Sequence, residues 1–243
     1  MTADEAPAEI ESGRRIASFG RRSGRKLRPG QRELFDETLP VRSLDLDRVR
    51  GQGPKSVFAT PPQQVWLEIG FGAGEHVVWQ AGRNPSVGII ACEVFRNGIV
   101  TCLRELEAAA LDNVRLYTED ARELLDALPD QSIDRAFILF PDPWPKIRHH
   151  KRRLISPETL DTLSRLLVDG AELRLGTDDA PYLRVMLAVA CGHPDFEWLA
   201  TRPADWRVRP DDWPQTRYEA KAIEAGRPPA FLRLRRRSRQ AGA

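Results

Sequence analysis

The sequence predicts an α/β fold: a doubly wound, mostly parallel sheet with an antiparallel edge strand. Two observations support this prediction. Short, almost continuously apolar runs alternate with amphipathic segments from Val65 onward, as in parallel sheets that are covered by helices on both faces. Glycine or acidic residues follow these runs, and the carboxyl ends of the strands are where such sheets bind ligands.

Five apolar runs predict the parallel strands, and two later runs predict strands that close the sheet. The parallel strands are expected at residues 65–69, 87–92, 114–117, 133–140 and 171–175. The closing strands are expected at residues 196–199 and 231–234. Runs of this length that end in turn or acidic residues are typical of buried strands rather than helices.

The segments between the strands have helical periodicity. Helices are expected at residues 75–83, 95–111, 121–128 and 181–191. In the second of these, Ile99, Leu103 and Leu106 lie at helical spacing and form one apolar face. Ser156, followed by Pro157 and Glu158, predicts the beginning of a further helix.

The N-terminal quarter has a different composition, and we divide the chain into residues 1–62 and 63–243. Residues 1–13 are acidic and aperiodic, which predicts a disordered tail. Residues 14–30 form a basic arm interrupted by glycine and proline, and residues 31–39 predict a short helix. The strand and helix alternation, with all the candidate site residues, belongs to the second part.

Composition excludes several classes of protein. Three cysteines without a C-x-x-C pair indicate a reducing compartment, so we expect a cytoplasmic protein. The four histidines have no zinc-binding spacing with these cysteines, and we expect no metal. No apolar run approaches the ~18 residues that a membrane span requires, and we expect no membrane partner.

The formal net charge of +2 hides a marked segregation of charge. Three segments, residues 14–28, 146–153 and 233–239, hold 17 of the 37 basic residues and none of the 35 acidic ones. Such patches can steer a polyanion to chosen parts of the surface. The alternative for any single segment is an ordinary solvated surface.

A glycine-rich turn follows the first predicted strand. Gly70, Gly72 and Gly74 alternate after Glu68, and Glu75 occupies the position where a dinucleotide-binding motif needs glycine. Because an acidic group at a helix N-terminus disfavours a pyrophosphate, the turn suits a ligand without phosphates and with a positive centre. S-adenosylmethionine meets both conditions. The alternatives are a purely structural turn and, less well supported by Glu75, a nicotinamide site.

Further acidic residues follow the next two strands. Glu93 comes 23 residues after Gly70, where a carboxylate usually accepts hydrogen bonds from ribose hydroxyls. Asp120 follows the third strand, where it can accept a hydrogen bond from an adenine amino group. Its alternative is a helix N-cap.

A proline-rich loop, Phe140–Lys146, follows the fourth strand. Its prolines stiffen the chain around Asp142, Trp144 and Lys146, and an indole in this position can stack on a planar base. A basic run comes directly after the loop and can contact phosphates; it contains Arg148, His149, His150, Lys151, Arg152 and Arg153. The alternative is that Trp144 anchors the core and the basic run lies on a helix surface.

Two later segments complete the candidate site. Asp178 follows the fifth strand. The segment of Thr216, Arg217, Tyr218 and Glu219 lies in an irregular stretch rich in proline, tryptophan and arginine, which either covers the site or is a surface connection.

These motifs together resemble the bacterial tRNA (guanine-N7)-methyltransferase family, over about residues 14–237. The resemblance rests on the glycine turn, the Phe140–Lys146 loop with the basic run, Thr177-Asp178 and Thr216–Glu219. It implies a Rossmann-like class I methyltransferase fold with S-adenosylmethionine as cofactor. It also implies that a guanosine in the tRNA variable loop (position 46) is methylated on N7.

The resemblance also implies roles for particular residues. Glu68, Glu93, Asp120 and Asp142 correspond to acids of the cofactor site, and Asp142 also to the active-site position. Substrate contacts are implied for Lys146, Asp178, Thr216, Arg217, Tyr218 and Glu219, and RNA contacts for residues 148–153. The expected partner is tRNA, bound by a monomer or a homodimer. The alternatives are a methyltransferase for another RNA or a small molecule, and an RNA-binding protein that has lost its activity.

Overall fold

The computed structural model describes residues 22–240. One sheet with the strand order β3-β2-β1-β4-β5-β7-β6 forms its centre. The strands are β1 (Gln64–Ile69), β2 (Val87–Cys92), β3 (Val114–Tyr117), β4 (Ile133–Leu139), β5 (Leu167–Thr177), β6 (Phe196–Trp198) and β7 (Ala230–Arg236). The strands β1 to β5 are parallel, so their carboxyl ends meet at one edge of the sheet.

The predicted fold class is confirmed, with a refinement at one side of the sheet. The strand β7 pairs antiparallel with both β5 and β6, so the antiparallel strand lies next to the edge and β6 forms the edge itself. The strand β5 begins four residues earlier than expected because Leu167 pairs with Ile133 across a register shift.

Helices cover both faces of the sheet. They are α1 (Pro29–Glu33), α2 (Leu39–Arg42), α3 (Leu46–Gln52), α4 (Glu75–Arg83), α5 (Arg96–Ala108), α6 (Ala121–Ala127), α7 (Pro157–Leu166), α8 (Ala180–Gly192), α9 (Ala204–Arg207) and α10 (Arg217–Glu224). A π-helical turn at Leu34–Thr38 joins α1 to α2, and 3-10 turns occupy Pro54–Val57 and Ile147–Arg152. None of the helices in residues 22–240 is long and apolar enough to span a membrane.

Local signals account for several helix boundaries. The Ser156 hydroxyl accepts a hydrogen bond from the Thr159 amide, which confirms the predicted start of α7. The helix α4 has the predicted bounds, whereas α5 ends at Ala108, short of the expected Leu111. The helices α3 and α10 are not expected from the sequence, because their apolar faces are short and proline-rich segments surround them.

Two apolar layers sandwich the sheet. One contains side chains of α4 and α5, together with Leu39 and Trp213. The other contains side chains of α6, α7 and α8, together with Leu44 and Val49. The segment before β1 therefore contributes to both layers. The predicted acidic tail (1–13) and the first part of the basic arm lie outside the described residues.

Part of the C-terminal basic run is structural. The buried Arg236 donates to the Ser164 carbonyl, and Arg239 donates to the carbonyls of Ser164, Arg165 and Leu167. These are carbonyls at the end of α7, where a helix lacks internal donors and favours positive charge. For these two arginines, the structure therefore assigns a capping role.

The contact between α5 and the turn after β1 allows a test of packing. A Cβ atom added at Gly98 would lie 2.0 Å from the Gly72 carbonyl oxygen, whereas one added at Gly82 in α4 meets nothing within 4 Å. We expect Gly98→Ala to lower the free energy of unfolding by about 1–3 kcal/mol or more, because backbone must move. Gly82→Ala should raise it by about 0.5–1 kcal/mol. Urea denaturation measures both, and an unchanged Gly98→Ala variant would contradict this packing.

Candidate active site

A cavity of about 420 Å³ lies at the carboxyl ends of β1 to β4. The predicted residues that line it are Gly70, Gly72, Glu93, Asp120, Asp142, Trp144, Arg152 and Tyr218. Its volume lies within the range of ordinary small-molecule sites. The fold thus brings together one residue group from each of four strand ends and one from α10.

The glycine turn forms one wall of this cavity. Gly70, Gly72 and Gly74 all have positive φ angles, of 80°, 61° and 87°, which other residue types rarely adopt. A Cβ atom at Gly74 would lie 2.5 Å from the Cys102 sulfur. Glycine is therefore required here both for the conformation of the turn and for its packing against α5.

Glu93 is held by three backbone amides. One carboxylate oxygen accepts from the Gly72 amide at 2.8 Å, and the other accepts from the amides of Val94 and Phe95 at 2.8 and 2.9 Å. The oxygen that accepts from Gly72 retains acceptor capacity for a ligand hydroxyl, whereas the other oxygen already accepts two hydrogen bonds. Burial raises the pKa of the Glu93 carboxyl, the backbone bonds oppose this rise, and the nearby Asp142 charge adds to it.

Asp120 is a helix N-cap that also lies in the cavity wall. Its side chain accepts from the Arg122 amide at 2.9 Å, so it is the N-cap of α6. It also lines the cavity, and the guanidinium of Arg122 lies 3.4 and 3.5 Å from its two oxygens. The second oxygen has this one long contact and retains capacity for a further donor.

Glu68 lies beneath the glycine turn rather than in the cavity wall. It is 3% exposed, and its carboxylate is 2.6 Å from the Nδ1 atom of His76. The predicted cofactor contact of Glu68 is therefore not supported by this cavity, because its buried carboxylate faces His76 and does not line the wall.

The loop after β4 is strained and braced. Phe140 and Trp144 have positive φ angles of 52° and 44°, a conformation that costs about 1–3 kcal/mol for residues other than glycine. The guanidinium of Arg152 lies 4.9 Å from the indole centroid of Trp144. In this conformation of the loop, Asp142 and Trp144 line the cavity, and Asp142 is exposed to solvent.

The basic run after this loop has two kinds of side chain. Lys146, Arg148, His150 and Lys151 are exposed, and His149 is half-buried with its ring edge against Trp144. Arg153, in contrast, is buried. It donates to the Pro143 carbonyl at 2.8 Å and lies over the ring of Tyr182. Arg153 thus braces the loop instead of facing an RNA surface.

The predicted segment Thr216–Glu219, which we call the rim segment, contributes Tyr218 to the cavity lining. Asp178 is bound to Arg227 at 2.8 Å and does not line the cavity. Thr216 is the N-cap of α10, with its hydroxyl accepting from the Glu219 amide. Tyr218 is exposed and packs on Gly72.

Glu219 faces the protein interior. It is 2% exposed, one carboxylate oxygen accepts from the Nε atom of Arg209 at 3.0 Å, and the other is buried without a hydrogen-bond partner within residues 22–240. Burial raises the pKa of the Glu219 carboxyl, and Arg209 partly offsets this effect. The sequence places Arg209 in the arginine-rich stretch that could cover the site and touch RNA, but it does not indicate the pairing with Glu219. Arg209 also donates to the Trp213 carbonyl.

The donor and acceptor groups of the cavity fit S-adenosylmethionine. Carboxylates at Glu93 and Asp120 suit ribose hydroxyls and an adenine amine, and the glycine turn allows close approach of backbone. The acidic lining suits a sulfonium and disfavours phosphates. In the described part of the chain, no group of histidine, cysteine and acidic side chains has the arrangement of a metal site.

The raised pKa of Glu93 predicts a pH dependence of cofactor affinity. An ionised carboxylate accepts a ribose hydroxyl better than a protonated one, so cofactor affinity should fall as the pH decreases, beginning at a higher pH than for an ordinary carboxyl. Glu93→Gln should weaken binding about tenfold or more and flatten this profile. Titration calorimetry at several pH values measures it. Glu119→Gln, at an exposed neighbouring position, should retain the wild-type profile; a flat wild-type profile would contradict the assignment.

Comparisons with known proteins agree with this geometry. A family model described as a putative methyltransferase matches residues 62–232. A tRNA (guanine-N(7)-)-methyltransferase of Rhodospirillum rubrum is 50% identical over 227 residues, 92% of this chain and 89% of the relative. The corresponding enzyme of Ruegeria pomeroyi is 47% identical over 90% of this chain and 93% of the relative.

A solved structure supports the fold alone. An rRNA methylase from Streptococcus thermophilus superimposes with a TM-score of 0.50 at 15% identity, over 72% of this chain and 87% of that one. The identities to the curated relatives, in contrast, extend over nearly the whole chain. The chain therefore belongs to the tRNA (guanine-N7)-methyltransferase family.

Proposed function

We propose that this protein transfers a methyl group from S-adenosylmethionine to N7 of a guanosine in tRNA. One observation carries the proposal: Asp142 and Trp144 line the same cavity as the glycine turn and Glu93. A base that stacks on Trp144 thus lies beside the cofactor site. The names of the relatives supply the acceptor, tRNA guanine N7.

The chemistry requires positioning more than proton transfer. Guanine N7 has an in-plane lone pair and no proton, so no general base is needed to form the nucleophile. When bound, S-adenosylmethionine supplies an electrophilic methyl group. Glu93 and Asp120 would hold the adenosine, and the rigid Phe140–Lys146 loop would hold the base. This pre-alignment of nucleophile and methyl group is what lowers the barrier of such a displacement.

Asp142 is the residue that we assign to selection of guanine. It is exposed at the open side of the cavity, where its carboxylate can accept from guanine N1–H and the exocyclic amine. Adenine lacks this pair of donors. Asp142 also stabilises positive charge as it builds on the purine. Glu219 accepts a hydrogen bond from Arg209. We therefore assign it to holding the segment Thr216–Glu219 in place and not to a contact with the base.

The basic surface accounts for RNA binding. The exposed side chains of Lys146, Arg148, His150 and Lys151 lie next to the Trp144 loop. We assign phosphate contacts to these residues and to the basic arm, and the methyl-transfer chemistry to residues 63–243. A variable-loop guanosine, action as a monomer or a homodimer, and a cytoplasmic location belong to the same proposal.

One experiment decides among the candidate functions. Bulk tRNA is incubated with the protein and labelled cofactor, and chemical cleavage at N7-methylated guanines maps the site. Cleavage at a single variable-loop position is expected. Label in free guanosine but not in tRNA would favour a small-molecule enzyme, and cofactor binding without transfer would favour a non-catalytic RNA-binding protein.

The contribution of Asp142 can be separated from RNA binding. Because it contacts the base and not the RNA backbone, Asp142→Asn should lower kcat at least a hundredfold while tRNA binding at low salt stays within about twofold. Single-turnover methylation and filter binding measure the two quantities. Asp178→Asn, at a residue outside the cavity, is a comparison variant of equal charge change. Equal loss of turnover and of RNA affinity in Asp142→Asn would indicate a structural role.

The basic arm should govern the salt dependence of tRNA binding. Residues 14–28 contain seven basic residues, so deletion of residues 1–28 should flatten the dependence of log K on log salt. The slope should fall by about 0.7–0.9 for each phosphate that the arm neutralises in the full-length protein. Deletion of residues 1–13, which contain no basic residue, should leave it unchanged. An unaltered slope in the longer deletion would exclude the arm from the RNA site.

A further inference from the structure

A chain of buried polar groups runs from beneath the glycine turn to the segment before α10. The carboxylate of Glu68 is 2.6 Å from Nδ1 of His76, and Nε2 of His76 is 3.1 Å from the Gln80 amide nitrogen. That amide nitrogen also donates to the Asp212 carbonyl at 2.9 Å. Glu68, His76 and Gln80 are each no more than 3% exposed.

The hydrogen bonds along this chain are mutually consistent. A proton on Nδ1 of His76 serves the Glu68 carboxylate and leaves Nε2 as an acceptor. The two N–H groups of Gln80 then serve His76 and Asp212, and its carbonyl oxygen accepts from Asn84. Each donor faces an acceptor, so these hydrogen bonds allow a single orientation of the Gln80 amide and a single protonation pattern of the His76 ring.

This arrangement does more than fill the core. His76 and Gln80 are one helical turn apart on α4, and His76 packs between the rings of Phe137 and Trp213. An apolar side chain of similar volume could also fill this space, and burying polar groups contributes little net stability. What the polar chain adds is a directional contact that sets the position of the Asp212 backbone.

The segment that begins at Asp212 enters the candidate active site. Trp213 and Thr216 are buried, and Tyr218 lines the cavity. Two further contacts join the rim segment to the turn and α4: Tyr218 packs on Gly72, and Arg217 lies 3.4 Å from Glu75. The cofactor turn and α4 thus hold the rim segment at three places, of which the Gln80 contact is the buried one.

We propose that His76 and Gln80 are positioning residues for methyl transfer. By linking Glu68 to the Asp212 carbonyl, they keep the rim segment of Thr216–Glu219 in register with the glycine turn, and hence the acceptor base in register with the methyl donor. This inference rests on the proposed function for its kinetic consequence. The link itself exists whatever the acceptor is.

Two variants interrupt the chain at different points. Gln80→Met keeps an unbranched side chain and removes both donated hydrogen bonds. His76→Asn keeps an N–H group near the position of Nδ1, facing Glu68, and removes the acceptor for Gln80. Val77→Ala is the matched control for stability. Val77 is fully buried in the same helix, but it takes no part in the hydrogen bonds that link Glu68 to Asp212. Gln52→Met makes the same change of glutamine to methionine as Gln80→Met, but at an exposed position.

We expect kcat to fall about tenfold in Gln80→Met and in His76→Asn, because a misplaced base reacts slowly. The dissociation constants for S-adenosylhomocysteine and tRNA should stay within twofold. Val77→Ala should lower the midpoint temperature of unfolding but leave kcat unchanged when it is measured well below that temperature. Gln52→Met should change neither quantity. Gln80→Met with kcat equal to that of Val77→Ala would overturn the proposal. If Gln80→Met does not fold, His76→Asn decides on the same criterion.

Hydrogen exchange tests the link without any substrate. Backbone amides of residues 211–219 should exchange faster in Gln80→Met than in the wild type, and at the wild-type rate in Val77→Ala. Equal exchange in Gln80→Met and the wild type would overturn the link. A wild-type protein that does not methylate tRNA, but shows the expected exchange, would refute the proposed function and leave the link standing.

Discussion

The close approach of the glycine turn to α5 is the contact on which the site depends. The Gly72 carbonyl lies where a Cβ atom of residue 98 would be, and Gly74 packs against Cys102. This packing aims the Gly72 amide at Glu93 and exposes the Gly72 surface to Tyr218. One turn of backbone therefore places a wall of the cavity, the Glu93 carboxylate and the Tyr218 ring, in a conformation that glycine adopts readily and other residues rarely do.

The Phe140–Lys146 loop is held in its conformation in a different way from the glycine turn. The Phe140–Lys146 loop has side chains at its strained positions, and neighbouring groups hold it in place. Arg153 binds the Pro143 carbonyl, and Arg152 lies over Trp144. Strain of this kind persists where the surrounding structure determines the conformation. A rigid loop also suits a reaction in which the alignment of two atoms matters more than proton transfer.

Arginine has two distinct uses in this chain. Arg236 and Arg239 cap the end of α7. Arg153 binds a carbonyl of the Phe140–Lys146 loop, and Arg209 binds Glu219. Others, such as Arg148, are exposed beside the cavity. A count of basic residues therefore overstates the surface that is free to contact RNA, because the guanidinium groups of these four arginines bind carbonyls and carboxylates of the chain itself.

The sequence alone determined the succession of the seven strands and of the helices α4 to α8, the glycine turn and the acids at the strand ends, but not the helices α3 and α10. These features depend on short-range patterns, namely apolar periodicity, helix caps and glycine spacing. The bounds of α4, β2 and β3 agree with the structure for that reason. Only the tertiary structure decided that Glu68 lies under the turn, that Arg153 and Glu219 face inward, and that Gln80 reaches Asp212. The direction of a side chain is set by what packs against it from distant parts of the chain, and one residue's local sequence does not contain that information.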